Sequence, residues 1–150
     1  MSEYLNKHRP IKQKRIVRGV CVNPVLRDDF DYTPNDARPN QEVQDWWGRA
    51  FVIESEYYAP DASYEDYMER MASYDMDYSV ESKEEWAERT DKSRRLFEEK
   101  FPTGKRYDVR VLDGGAWDRS TWKATVATLD EAVNIAIGVS SHGAIGEMAK

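Results

Sequence analysis

Residues 107–138 read YDVRVLDGGAWDRSTWKATVATLDEAVNIAIG. Tyr107 to Leu112 alternates, with Tyr107, Val109 and Val111 on one face, as a half-buried strand requires. Asp113-Gly114-Gly115 turns the chain. Trp122 to Ala127 then returns it, with Trp122, Ala124 and Val126 expected inward. The connecting AWDRST is long for a tight hairpin, and its Asp118 and Arg119 suit either a ligand or each other. Thr128 with Glu131 three residues on is a capping box. It opens a helix whose inward stripe is Leu129, Val133, Ala136 and Ile137, and which Gly138 is expected to end. Strand, return strand and covering helix set the fold class.

Upstream, the same signals recur. Ile16 to Val22 (IVRGVCV) is expected to form one strand, with Ile16, Val20 and Val22 on one face and Cys21 as a small buried hydrophobe. Residues 27–40 hold Pro34, Pro39 and several Asp and Asn, an irregular loop. Its Asp28, Asp29, Asp31 and Asp36 lack the order of a calcium loop. Gln41 to Arg49 predicts a short helical turn that sets Val43 beside Trp46 and Trp47. Ala50 to Tyr57 is a second strand. Ser63 and Ser82 each begin a helix; the second runs to Lys100, with Glu84, Glu85 and Glu88 early and Lys92, Arg94, Arg95 and Lys100 late, as the helix dipole favours. Its inward stripe is Trp86, Thr90, Ser93 and Phe97. Tyr64, Tyr67, Met68 and Met71 form the stripe of the first.

This order predicts an α+β fold, a small mostly antiparallel sheet with helices packed on one face. The expected division is a basic flexible arm over 1–15, one domain over 16–138 and a flexible tail over 139–150. A chain of 150 residues suits a single core. One cysteine excludes an intrachain disulfide and fits a reducing compartment. There is no membrane-length apolar run and no secretory signal pattern, so a cytoplasmic protein is expected.

Catalytic and cofactor motifs are absent. The sequence has no GxxxxGK[ST], GxGxxG or GxSxG, and its single Cys and two distant His lack zinc spacing. His8 stands alone, and Ser140, Ser141 and His142 make no triad pattern. No cofactor, no metal and no catalytic residue are assigned.

The charge is unevenly placed. Residues 54–91 carry thirteen Asp and Glu against three basic residues, so this stretch is more acidic than the whole chain at −6. Six tyrosines and Trp86 are interleaved with the carboxylates. Tyrosine brings contact area at low rotamer cost and is favoured at interfaces. The pair Glu65–Glu69 is like-charged at i,i+4, a small local cost in a helix. A partner-binding surface is therefore expected on Glu65, Asp66, Glu69, Tyr74, Asp75, Asp77, Tyr78, Glu81, Glu84, Glu85 and Glu88. A pI near 5.0 argues against direct nucleic-acid binding.

In size, acidity and aromatic content, centred on residues 54–91, the chain resembles phage-encoded counter-defence proteins of the anti-restriction and anti-CRISPR type. The resemblance is one of character, and no family motif is matched residue by residue. It implies an inhibitor that imitates DNA before a basic nucleic-acid-binding protein or complex of the bacterial host. The segment WKATVATLDEAVNIAIG (122–138) is similar to the strand-then-helix region of phage-type S-adenosylmethionine lyases. That alternative implies an enzyme. A sulfonium needs a carboxylate and an aromatic face, and Glu69 with Tyr58 are the residues nominated. A third reading, an accessory module of a larger assembly, shares the features of the first.

Overall fold

The computed structural model describes residues 8–59, 61–74 and 80–140. The fold is α+β, with a mixed six-stranded sheet. Strands β1 (His8–Pro10), β2 (Arg15–Val17) and β3 (Val20–Val22) precede helix α1 (Asn40–Trp46). Then come β4 (Phe51–Tyr57), α2 (Tyr64–Ala72), α3 (Lys83–Lys100), β5 (Lys105–Val111), β6 (Thr121–Val126) and α4 (Leu129–Val139). The main path is β2-β3-β4-β5-β6, and β1 pairs β4 off that path. Among the described strands β3–β4 pair parallel and the other four pairings are antiparallel.

The single strand expected over 16–22 is instead a hairpin. Arg18 and Gly19 both have positive φ, 50° and 82°. That is the signature of a two-residue type I′ connection, whose twist matches the strands it joins. Ile16 consequently lies on an exposed edge strand, 61% accessible, while Val20, Cys21 and Val22 are buried.

One edge of β4 is shared. Its first half pairs with β3 (Cys21↔Phe51, Val22↔Val52) and its second half with β1 (Pro10↔Ser55, Arg9↔Glu56, His8↔Tyr57). Glu54 sits at the handover and is 3% exposed. Its carboxylate accepts from Arg15 at 3.0 and 3.2 Å, from Asn23 Nδ2 at 3.1 Å and from the Tyr107 hydroxyl at 3.0 Å. Asn23, in the left-handed region at φ 57°, returns its side-chain oxygen to the Glu54 backbone N–H at 2.8 Å. A buried carboxylate is tolerable when paired and hydrogen-bonded in this way. Within the stretch expected to be a flexible arm, His8–Pro10 thus forms β1 and Arg15 begins β2.

The sheet has two packed faces. On one, Val52, Val109 and Val111 meet Ala132, Val133 and Ala136 of α4. On the other, Phe51 joins Phe30, Leu112 and Trp46 of α1. The Phe51 ring meets those of Phe30 and Trp46 edge to face, at 6.1 and 5.4 Å. The expectation of helices on one face is corrected accordingly: α4 covers one side and α1 closes part of the other.

Three further expectations change for local reasons. Between β5 and β6 the register skips Lys123, pairing Val109 with Ala124 but Arg110 with Trp122. A bulge reverses the faces on either side of it, so Ala124 packs inward while Trp122 is 55% exposed. In α4, Ala132 takes the buried position expected for Ile137, which is 36% exposed. The helix runs through Gly138 to a Ser140 cap. Ser140 is fully buried and its Oγ accepts the Ala50 N–H at 2.6 Å, so it belongs to the core and not to a tail. Residues 141–150 lie outside the described residues.

Candidate functional site: an acidic helix pair

Helices α2 and α3 carry the acidic stretch. Each begins with a serine cap. Ser63 Oγ accepts the Asp66 N–H at 3.2 Å. Ser82 and Glu85 form the full reciprocal box, at 3.1 and 2.9 Å. A capped start fixes where each helix begins, and hence which side chains point outward.

Tyrosines join the two helices. The Tyr64 hydroxyl donates to the Glu81 carbonyl at 2.6 Å, and the Tyr67 hydroxyl accepts the Glu81 N–H at 2.9 Å. The Tyr64 ring stacks on Tyr67 at 5.7 Å and meets Trp86 edge-on at 5.9 Å. Tyr57 packs on Phe97 at 5.5 Å, which ties α3 to the end of β4. Tyr57, Tyr64 and Tyr67 therefore hold the lobe together, where the sequence suggested contact area for a partner. Met68, expected inward, is 40% exposed.

Two of the three basic residues of the stretch are also used internally. Arg70 grips buried Asp61 at 2.9 and 3.0 Å and reaches the Tyr74 hydroxyl at 3.2 Å. Arg89 bonds Glu81 at 2.9 Å. Both guanidinium groups lie over the Tyr67 ring, at 5.7 and 6.0 Å. Each cation thus serves a carboxylate and a ring at once.

Exposed carboxylates remain on the outside. Glu65, Asp66 and Glu69 lie on α2 and Glu84, Glu85 and Glu88 on α3, all exposed. Glu85 is occupied by its cap. The other five make no ion pair with any described residue, whereas Glu42, Glu54, Asp61, Asp108 and Asp113 each have a basic partner within 4.0 Å. The field of these groups is felt at Tyr64. Burial first, then the neighbouring Tyr67 phenol and the negative charge of Glu84, Glu85 and Glu81, push its phenol above the usual value. Of the remaining expected surface residues, Glu81 is paired and Tyr74 is 44% exposed. Asp75, Asp77 and Tyr78 lie outside the described residues.

A cleft of about 220 Å³ opens beside α3, with Tyr57, Asp61, Trp86, Thr90, Asp91 and Arg94 among its walls. Neither Glu69 nor Tyr58, the pair nominated for the lyase alternative, lines it. Glu69 is exposed on α2, and Tyr58 lies under the Arg9 guanidinium at 4.9 Å. The cleft's own carboxylates are occupied, Asp61 by Arg70 and Asp91 by Arg95 at 3.0 Å. Among the described residues no cluster of three or more His, Cys, Asp and Glu is arranged to hold a metal, and no helix is long and apolar enough to cross a membrane.

Comparison with protein-family models, with curated proteins and with solved structures finds no match.

Proposed function

We propose that the chain is an acidic binding protein that inhibits a nucleic-acid-binding protein of a bacterial host by presenting α2 and α3 in place of DNA. One observation carries this reading: Glu65, Asp66, Glu69, Glu84 and Glu88 are exposed on two joined helices with no ion pair to any described residue. Asp28, Asp36, Asp45, Glu98, Glu99 and Glu131 are also exposed without such a pair; the five are singled out because they are grouped near the starts of two joined helices. Glu84 and Glu88 lie one helical turn apart, about 6 Å along the axis. Duplex DNA presents about one charge per 1.7 Å of axis over both strands; two helices at this spacing supply about one per 3 Å, roughly half that density. Such a surface steers a basic groove toward itself, with a rate that falls with salt. The tyrosines, committed to the lobe's interior, give the helices rigidity, which lowers the ordering cost of binding.

The test is capture from bacterial lysate by the tagged chain, with nuclease treatment and at low and high salt. A nucleic-acid-processing complex that is retained after nuclease and released by salt supports the reading and identifies the target. The triple change Glu65→Lys, Asp66→Lys, Glu69→Lys must abolish that capture. Full retention by the variant removes α2 as the binding surface.

A further inference from the structure

The cleft of about 220 Å³ beside α3 plays no part in the acidic surface. One wall is a row on that helix, Trp86, Thr90 and Arg94, at i, i+4 and i+8. Such a row spans about 12 Å along the axis. Tyr57, at the end of β4, adds an aromatic wall, and Ala59 and Ala62 add little bulk.

Charge in the cleft does not balance. Among the described residues its charged walls are Asp61, Asp91 and Arg94. Asp61 is taken by Arg70 at 2.9 Å and Asp91 by Arg95 at 3.0 Å. Arg94 is exposed and makes no ion pair or hydrogen bond with any described residue. Its guanidinium lies over the Tyr57 ring at 4.8 Å. Stacking of this kind restrains the head group and leaves its N–H edges available to an acceptor.

Trp86 supplies a second uncommitted donor. Its indole N–H is buried and has no acceptor among the described residues. Buried donors without a partner are rare, and each needs an explanation. The Thr90 hydroxyl, between Trp86 and Arg94 on the row, donates to the Trp86 and Ala87 carbonyls at 3.0 and 3.1 Å.

We propose that this cleft binds a small organic acid, with its carboxylate on Arg94 and a second acceptor, a hydroxyl or carbonyl oxygen, on the Trp86 N–H. Both uncommitted groups are donors and one is a cation, so their complement is an acceptor carrying one negative charge. A cationic ligand finds the carboxylates of the walls already engaged. Size narrows the class. A cavity of about 150 Å³ holds benzene, and drug-sized ligands occupy about 300–1,000 Å³. The cleft lies between, with room for one substituted ring and not for a nucleotide. Its two donors belong to residues about 12 Å apart along the helix, so the acid and the second acceptor stand at opposite ends of that ring. Side-chain shifts on binding are common, and one at the wall brings the acceptor to the buried N–H.

The site goes beyond the proposed function and stands without it. The test is titration of the full ¹⁵N-labelled chain with 4-hydroxybenzoate, and with 4-hydroxybenzamide as its uncharged counterpart, at fixed pH and ionic strength. The readout is the Trp86 indole N–H resonance, identified by its loss in Trp86→Phe. The acid is expected to move that resonance with a Kd on the order of 1 mM, ordinary for a fragment of this size. The amide binds at least tenfold more weakly. Arg94→Gln, an exposed change expected to keep the wild-type melting temperature, weakens the acid at least tenfold, as loss of a charge-assisted bond requires. No movement with the acid up to about 20 mM overturns the proposal. So does equal binding of the amide, or undiminished binding by Arg94→Gln, since the cleft would then take its ligand without using the charge.

Discussion

Both oxygens of Glu54 face the guanidinium of Arg15, at 3.0 and 3.2 Å, where β4 exchanges one edge partner for another. Burial pushes this carboxyl up, yet the bonds from Arg15, Asn23 and Tyr107 together outweigh it and hold the group below the usual range. The folded carboxyl therefore titrates below its unfolded value, near 4.3. Its stabilising contribution is complete above that value and is lost as pH falls through the lower, folded one. Replacing Glu54 with Ala strands Arg15 and Asn23 and is expected to cost about 3 kcal/mol at pH 7. For Glu54→Gln, the gap to wild type in urea melts should shrink between pH 7 and about pH 3. An equal gap at both values would show that the pair contributes nothing through its charge.

Tyr107 meets the same carboxylate from β5. Burial, then its bond to Glu54, pushes the phenol up to about 12. With a folded pKa above the unfolded one, the stability linked to this group is present below about pH 10 and is lost as pH rises through the folded value. Ultraviolet titration should show one tyrosine ionising well after the others, and Tyr107→Phe should remove that last step.

Ser140 and Ala50 share a bond that closes the sheet against α4. The Ala50 N–H donates to Ser140 Oγ at 2.6 Å, and both residues are buried. Ser140→Ala leaves that N–H without a partner, an expected cost of about 1–3 kcal/mol. Ser140→Gly should be at least as damaging, since it also removes the hydroxyl. Chemical denaturation of the two variants checks both.

What could be foreseen in the chain follows from the range of the forces involved. The start of α3 was legible because a capping box is a contact across three residues, and Ser82 and Glu85 form it. The inward face of β5 was legible because alternation is local, and Tyr107, Val109 and Val111 are all buried. The hairpin at Arg18-Gly19 was hidden because arginine is not a usual residue at positive φ; its side chain is held from a distance by Asp130 and Asn134, at 2.9 and 2.7 Å. β1 was hidden because its only partner is β4, more than forty residues on. At the acidic site, exposure of Glu65, Asp66 and Glu69 could be read from helical spacing. The engagement of Tyr64 and Tyr67 with Glu81 could not, because it depends on how α2 meets the segment before α3.

The Ser82 cap is worth isolating because it sets the outward positions of Glu84 and Glu88. Ser82→Ala removes the acceptor for the Glu85 N–H and should cost about 1 kcal/mol. Ser82→Asp should restore most of it, since aspartate caps equally well and adds favourable charge at the helix start. Thermal melts of the three proteins decide whether the cap contributes as the geometry indicates.

The last prediction sets stability against function on α2. Glu65 and Glu69 are four residues apart, both exposed and both without an ion pair to a described residue. Such a pair destabilises a helix by a few tenths of a kcal/mol, and Glu65 with lysine at 69 is the favourable arrangement of the same geometry. Glu69→Lys should therefore leave the melting temperature unchanged or slightly raised, by up to about 0.5–1 kcal/mol of stability. Under the proposed function the same change weakens capture of the basic partner, and the loss is greatest at low salt, where screening is least. A residue kept at a cost to the fold and needed for binding is the pattern expected of a working surface. If Glu69→Lys instead lowers stability with capture intact, the carboxylate serves the fold, and the binding surface lies elsewhere.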